Sequence, residues 1–185
     1  MGIRLDMGRW GEVRRLMPEA EATVDANAAT PCVVGATALL CGAIAHANEG
    51  DLAEARRLEV KAEGLGFEGY DHALEPLRLH LALAYGNIAR VRELIPRISP
   101  EWLTDQWTRI TLLDGLIAVG DIERLESEAV DWVIPGTYIE PFALRSLGVV
   151  RNDPRLIDQA VSRFEAMGVA WYADETRRLR GRLSS

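Results

Sequence analysis

A short turn recurs along the chain about every 34 residues, and it constrains the fold more than any other feature. Its clearest copy is Gly50-Asp51 followed by Glu54. Gly50 can adopt the left-handed conformation that ends a helix, Asp51 can cap the next helix, and Glu54 completes a capping box. Similar turns are centred on Gly8, Gly86, Gly120 and Asn152, so the five copies are separated by 42, 36, 34 and 32 residues. Periods in this range indicate repeats of two helices each.

The turns predict one all-α domain over residues 1–185. No segment shows a sustained alternation of apolar and polar residues, so we expect no sheet. The chain begins inside a repeat, which we interpret as the start of a longer array truncated at its first helix. The predicted divisions are a partial repeat at 1–30, repeats at 31–69, 70–100, 101–136 and 137–168, and a capping helix at 169–185.

Two sets of positions in the second helix of each pair support this register. Both are predicted to pack that helix against its own partner and against the next repeat. Five residues after the turn residue lie Val13, Ala55, Val91, Leu125 and Ile157. Seven residues further on lie Ala20, Ala62, Ile98, Trp132 and Phe164.

The charge and the longest apolar run exclude two classes of partner. The formal net charge is -7, and an acidic chain is a poor ligand for phosphate backbones, so we expect no direct contact with nucleic acid. Residues 32–45 form the longest apolar run. This run is shorter than the roughly 20 residues of a membrane helix. It therefore predicts a buried core helix and no membrane association.

The two cysteines indicate the compartment. Cys32 and Cys41 fall on one predicted helix, and nine helical residues place their side chains on opposite faces, too far apart for a disulfide. Reduced thiols favour a cytoplasmic location.

The sequence contains no pattern typical of an active site. His46, His72 and His80 lack the spacing of metal ligands. The glycines of residues 64–69 follow no predicted strand, so a dinucleotide-binding loop is not expected. We therefore predict no enzymatic activity, no cofactor and no metal. One basic cluster is suited either to an acidic partner or to the polar outer face of a terminal helix, and we favour the latter; its members are Arg177, Arg178, Arg180 and Arg182.

The turns, the apolar offsets and the spacing near 34 residues resemble degenerate tetratricopeptide repeats. That resemblance implies a right-handed α-solenoid of antiparallel helix pairs. Residues 163–177, with the sequence RFEAMGVAWYADETR, are similar to the end of the repeat region in large bacterial signal-transduction ATPases. Proteins of that kind are fused to adenylyl cyclase domains or to LuxR-type DNA-binding domains. The resemblance implies a sensor or scaffold arm of a bacterial signalling or transcription regulator.

The concave wall of such a solenoid is the candidate site. Mapping the groove positions of tetratricopeptide repeats onto this chain gives Leu40, Ile44, His80, Leu83, Trp107, Ile110, Asp114, Ile117 and Phe142. A wall this apolar is either core or covered by a partner.

Two functions are consistent with this wall. The first is a protein-interaction or scaffold module that binds a protein segment, other domains of its parent protein or a second copy. The alternative is an effector sensor in which a closed apolar interior holds a small ligand oriented by His80 and Asp114.

Overall fold

The computed structural model describes Leu5, residues 7–67 and residues 70–183. This part of the chain is all α-helical and contains no strand, as predicted. Two short 3-10 helices lie at Ile95–Arg97 and Pro100–Thr104. The ten α-helices of the described residues are α1 (Trp10–Ala26), α2 (Val33–Asn48), α3 (Leu52–Glu63), α4 (Asp71–Ala84), α5 (Ile88–Leu94), α6 (Gln106–Val119), α7 (Ile122–Val130), α8 (Glu140–Val150), α9 (Pro154–Ala166) and α10 (Ala170–Leu183).

The recurring turns have the predicted left-handed conformation, but the Glu54 carboxylate bonds to the Arg57 guanidinium and does not complete the predicted capping box. All five central residues have left-handed φ angles, from 48° at Asn152 to 85° at Gly50. At Gly50, the glycine N–H donates to the Ala47 carbonyl, and the next N–H, of Asp51, donates to the His46 carbonyl. This is the Schellman motif. The Asp51 carboxylate in turn accepts the N–H of Glu54 and caps α3, so one turn both ends a helix and starts the next.

The helices form two compact units, Met1–Trp102 and Leu103–Ser185. In the first unit, α2 packs against α1, α3 and α4, and α4 packs against α5. The apolar run predicted as a core helix is α2, and its residues 39–47 are all buried. Cys41 is buried within it, Cys32 is exposed at its N-cap, and both thiols are free, as predicted.

In the second unit, α8 packs against α6, α7 and α9, and α10 packs against α9. Aromatic rings form its centre. The Phe142 ring lies 4.8 Å from the Phe164 ring and 4.9 Å from the Tyr172 ring, both in edge-to-face geometry. All three side chains are fully buried.

The predicted packing register is confirmed. Each residue five positions after a turn is 0 % exposed, namely Val13, Ala55, Val91, Leu125 and Ile157. Of the second set, Ala62, Ile98 and Phe164 are buried, whereas Ala20 and Trp132 are half-buried. The two helices of a pair thus meet through a seam whose spacing can be read from the turn.

The repeat predicted over 101–136 contains the two helices α6 and α7. Helix α6 begins only at Gln106, where the Asp105 carboxylate accepts the Thr108 N–H at 2.8 Å and caps the helix. The preceding residues Pro100–Thr104 form a 3-10 helix, and α7 ends at Val130.

Candidate binding surface

The predicted wall residues of the first unit are mostly core. Leu40, Ile44 and His80 are buried, and Leu83 is half-buried. The His80 ring centroid lies 6.0 Å from that of Trp10. Burial lowers the pKa of His80 to about 4, because the surroundings disfavour the charged imidazolium. These residues stabilise the first unit and do not form an open wall.

The predicted wall residues of the second unit form a stripe along α6. Trp107, Ile110, Asp114 and Ile117 are spaced by three, four and three residues, so they share one face of the helix. Ile110 is buried, whereas Trp107 and Ile117 are half-buried. The Asp114 side chain keeps 22 % of its surface exposed. We call these four residues the α6 stripe.

A charged pair lies in the middle of the α6 stripe. The Asp114 carboxylate accepts a hydrogen bond from the Arg145 guanidinium of α8, whose side chain is only 6 % exposed. Burial raises the pKa of Asp114; the Arg145 charge opposes the increase, and the Glu175 carboxylate of α10 adds to it. The site therefore holds a carboxylate that is partly desolvated and paired with one guanidinium.

Phe142, the remaining predicted wall residue, lies beneath this pair. The guanidinium carbon of Arg145 is 5.2 Å from the Phe142 ring centroid and 5.9 Å from that of Phe164. Aromatic faces attract a cation at such distances. Phe142 is thus core, and its contribution to the surface is to hold Arg145 in position.

Comparisons with protein families, with curated proteins and with solved structures give no match for this chain. A functional assignment therefore rests on the fold and on the α6 stripe.

Arg145 was missing from the predicted site. A signal for it was present, since it is the only charged residue between Phe142 and Val150. A charge within an otherwise apolar helix requires a partner, and Asp114 is the acidic residue within the predicted wall.

The basic cluster of α10 is largely neutralised by carboxylates. Arg177 pairs with Asp174 and Glu165, Arg178 pairs with Glu175, and Arg180 pairs with Asp158. These pairs agree with the favoured interpretation of a polar outer face.

The described residues contain no group of three or more His, Cys, Asp or Glu side chains arranged to hold a metal ion. In the same part of the chain, no helix combines the length and apolar character needed to cross a bilayer.

Proposed function

We propose that the chain is a non-catalytic protein-interaction or scaffold module. We further propose that its helix pairs are tetratricopeptide-like and continue as a right-handed α-solenoid. Three features support this arrangement: the turn with its fixed hydrogen bonds, the buried seam five residues after it, and the contacts between first helices of successive pairs, α2 with α4 and α6 with α8. Stacking of first helices on first helices is what a solenoid requires.

The observation that carries the binding function is the half-buried indole of Trp107 on the same stripe as the Asp114–Arg145 pair. Tryptophan and arginine are enriched among the residues that contribute most of the binding energy at protein interfaces. Trp107 and Ile117 offer apolar contacts on either side of the pair, while the exposed part of Asp114 offers a hydrogen-bond acceptor. This arrangement suits an extended or helical segment of a protein.

We also propose that the segment belongs to the parent protein or to a partner in a bacterial signalling or transcription regulator, as the resemblance of residues 163–177 implies. A second copy of the chain is the other occupant that the stripe could accept.

Selection of random phage-displayed peptides on the purified chain tests the binding function. Enriched peptides are then titrated calorimetrically into wild type, Trp107→Ala and Trp171→Ala, the last being a second half-buried tryptophan outside the stripe. Loss of an interface tryptophan costs roughly tenfold or more in affinity, so we expect that loss for Trp107→Ala alone. Equal affinities for all three proteins, or no enriched peptide, would contradict the proposal.

Light scattering on wild type and Trp107→Asp identifies a second copy as the occupant. A wild-type dimer that becomes a folded monomer on substitution would show that the α6 stripe is a homodimer interface.

A further inference from the structure

An open groove runs between α1 and α2 in the first unit, far in sequence from the α6 stripe. Its volume is about 550 Å³. Its lining includes Leu16, Ala20 and Val24 of α1 and Val34, Gly35 and Ala38 of α2. Pockets for small molecules have volumes of about 300–1,000 Å³ and mostly apolar walls, so the groove has the size and lining of a ligand site.

Small residues create this groove. A Cβ atom at Gly35 would lie 3.1 Å from Cγ2 of Val24, so the glycine allows the two helices to approach closely at that point. Ala20 and Ala38 are half-buried and too short to fill the space above them. Val34 stands at the edge with 67 % of its surface exposed. An apolar chain lying here would cover that surface and gain hydrophobic free energy.

The polar groups of the groove offer acceptors. The Asn27 amide nitrogen donates to the Thr23 carbonyl at 2.7 Å, which leaves the Asn27 amide oxygen as an acceptor. The Thr23 hydroxyl already donates to the Glu19 carbonyl at 2.9 Å. Glu19 is the charged side chain of the lining, is exposed, and forms no ion pair within the described part of the chain. A bound molecule would therefore meet a negative charge and a hydrogen-bond acceptor at the wall of α1.

We propose that this groove binds a small amphiphile that has an aliphatic chain and a positively charged head. The chain would lie along Ala20, Gly35 and Ala38, and the head would be placed beside Glu19. The net charge of -7 also attracts a positively charged ligand at longer range. This site shares no residue with the α6 stripe, so the proposal does not depend on the proposed function, and either one can be refuted without the other.

Cys32 provides a direct readout of occupancy. Its exposed thiol lines the groove, whereas the second cysteine, Cys41, is buried. We would measure the rate at which Ellman's reagent modifies Cys32 as decyltrimethylammonium is added below its micelle concentration, and repeat the titration with decanoate. We expect saturable one-to-one protection by decyltrimethylammonium and at least about fivefold weaker protection by decanoate, because Glu19 attracts one head group and repels the other.

Matched variants separate the groove from non-specific adsorption. Ala38→Trp fills the groove and should weaken protection about tenfold or more. Val60→Trp is the control, since Val60 is 71 % exposed on α3 and lies outside the lining. Glu19→Gln, an exposed change that leaves the helices packed, should weaken cation binding about threefold, the effect of an exposed ion pair, and leave binding of decanol unchanged. Circular dichroism verifies that each variant is folded.

Four results would overturn the proposal. The first is equal protection by decyltrimethylammonium and decanoate, and the second is equal affinity in folded Ala38→Trp and Val60→Trp. The third is protection of Cys32 by a Leu/Lys amphipathic peptide where the decyl probe gives none, which would assign the groove to a protein helix. The fourth is protection that grows with protein concentration without any probe, which would assign it to a second copy.

Discussion

Asp114 on α6 and Arg145 on α8 form an ion pair in which the guanidinium is almost entirely buried and the carboxylate is not. Burial raises the pKa of Asp114 even though the arginine stabilises its charged form. The pair therefore contributes to stability chiefly by giving Arg145 a counter-charge. Removing one partner leaves the other without compensation, which is more costly than removing both.

Substitution of Arg145 should test this relationship. We expect Arg145→Met to lower the free energy of unfolding by about 3 kcal/mol at pH 7, because the Asp114 charge loses its partner. The loss should become smaller as the pH falls below 7, because the raised pKa lets Asp114 take up a proton at a higher pH than an ordinary aspartate does. Urea unfolding over a series of pH values measures the effect.

Arg124→Met is the matched control for this experiment. Arg124 pairs with Glu128 one turn away on α7 at 3.5 Å, and the two side chains are 37 % and 27 % exposed. Such pairs contribute less than about 1 kcal/mol. Adding Asp114→Asn to Arg145→Met should restore part of the lost stability. A double variant as unstable as the sum of the two single ones would show that the residues act independently.

His80 should make the first unit sensitive to acid. Its pKa is about 4 in the folded chain, against about 6.5 in an unfolded one. Below pH 6.5 the unfolded state binds a proton that the folded state does not, so stability is lost as pH falls from about 6.5 to about 4. The full difference corresponds to about 3 kcal/mol.

Unfolding curves of wild type, His80→Gln and His72→Gln between pH 4 and 7 measure this dependence. His72 is exposed and serves as the control. His80→Gln should show a flatter profile over this interval, while His72→Gln should follow wild type. A wild-type profile that does not change between pH 6.5 and 4 would contradict the assignment to His80.

Much of the fold follows from the sequence because local signals and burial agree. The turn at Gly50 and Asp51 fixes where a helix ends and where the next begins. Counting five residues from each turn then identifies a buried position, as Val91 and Leu125 illustrate. Both signals act within a few residues, so they do not require knowledge of distant contacts.

The candidate site could be predicted less completely, because exposure depends on contacts between helices far apart in the sequence. Ile44 and Asp114 each lie six residues before a turn glycine and so hold equivalent positions, yet Ile44 is buried and Asp114 is half-buried. Arg145 belongs to the site through a residue 31 positions away. The groove beside Gly35 likewise depends on how closely α1 approaches α2.

Gly148 should be intolerant of any side chain. A Cβ atom there would lie 2.6 Å from Cδ1 of Ile157 and 3.1 Å from the Ile157 backbone nitrogen, so α8 and α9 could not keep their spacing. Overpacking of this kind costs about 1–3 kcal/mol, and we expect Gly148→Ala to lower the free energy of unfolding by that amount in urea titrations. Ile157→Val in the same chain should recover only part of the loss, because the clash with the backbone nitrogen persists. Full recovery would mean that the side chain alone causes the strain.

The recurring turn predicts that the same substitution has opposite effects at two glycines. Gly120 has a left-handed φ of 73°, and an L-residue in that region costs about 1 kcal/mol or more, so Gly120→Ala should destabilise the second unit by about 1 kcal/mol.

Gly181 lies within α10 with open space around its Cβ position. Alanine is the better helix former there, so Gly181→Ala should raise the free energy of unfolding by up to about 0.5 kcal/mol and with it the thermal midpoint. Asn152, the one turn residue with a side chain, has a φ of 48°, and Asn152→Gly should be neutral or slightly stabilising because glycine removes the strain. Thermal unfolding of the three variants measures these effects. A Gly120→Ala variant as stable as wild type would show that backbone conformation at the turn does not control the stability of these helix pairs, and a destabilised Gly181→Ala would contradict the argument from helix propensity in α10.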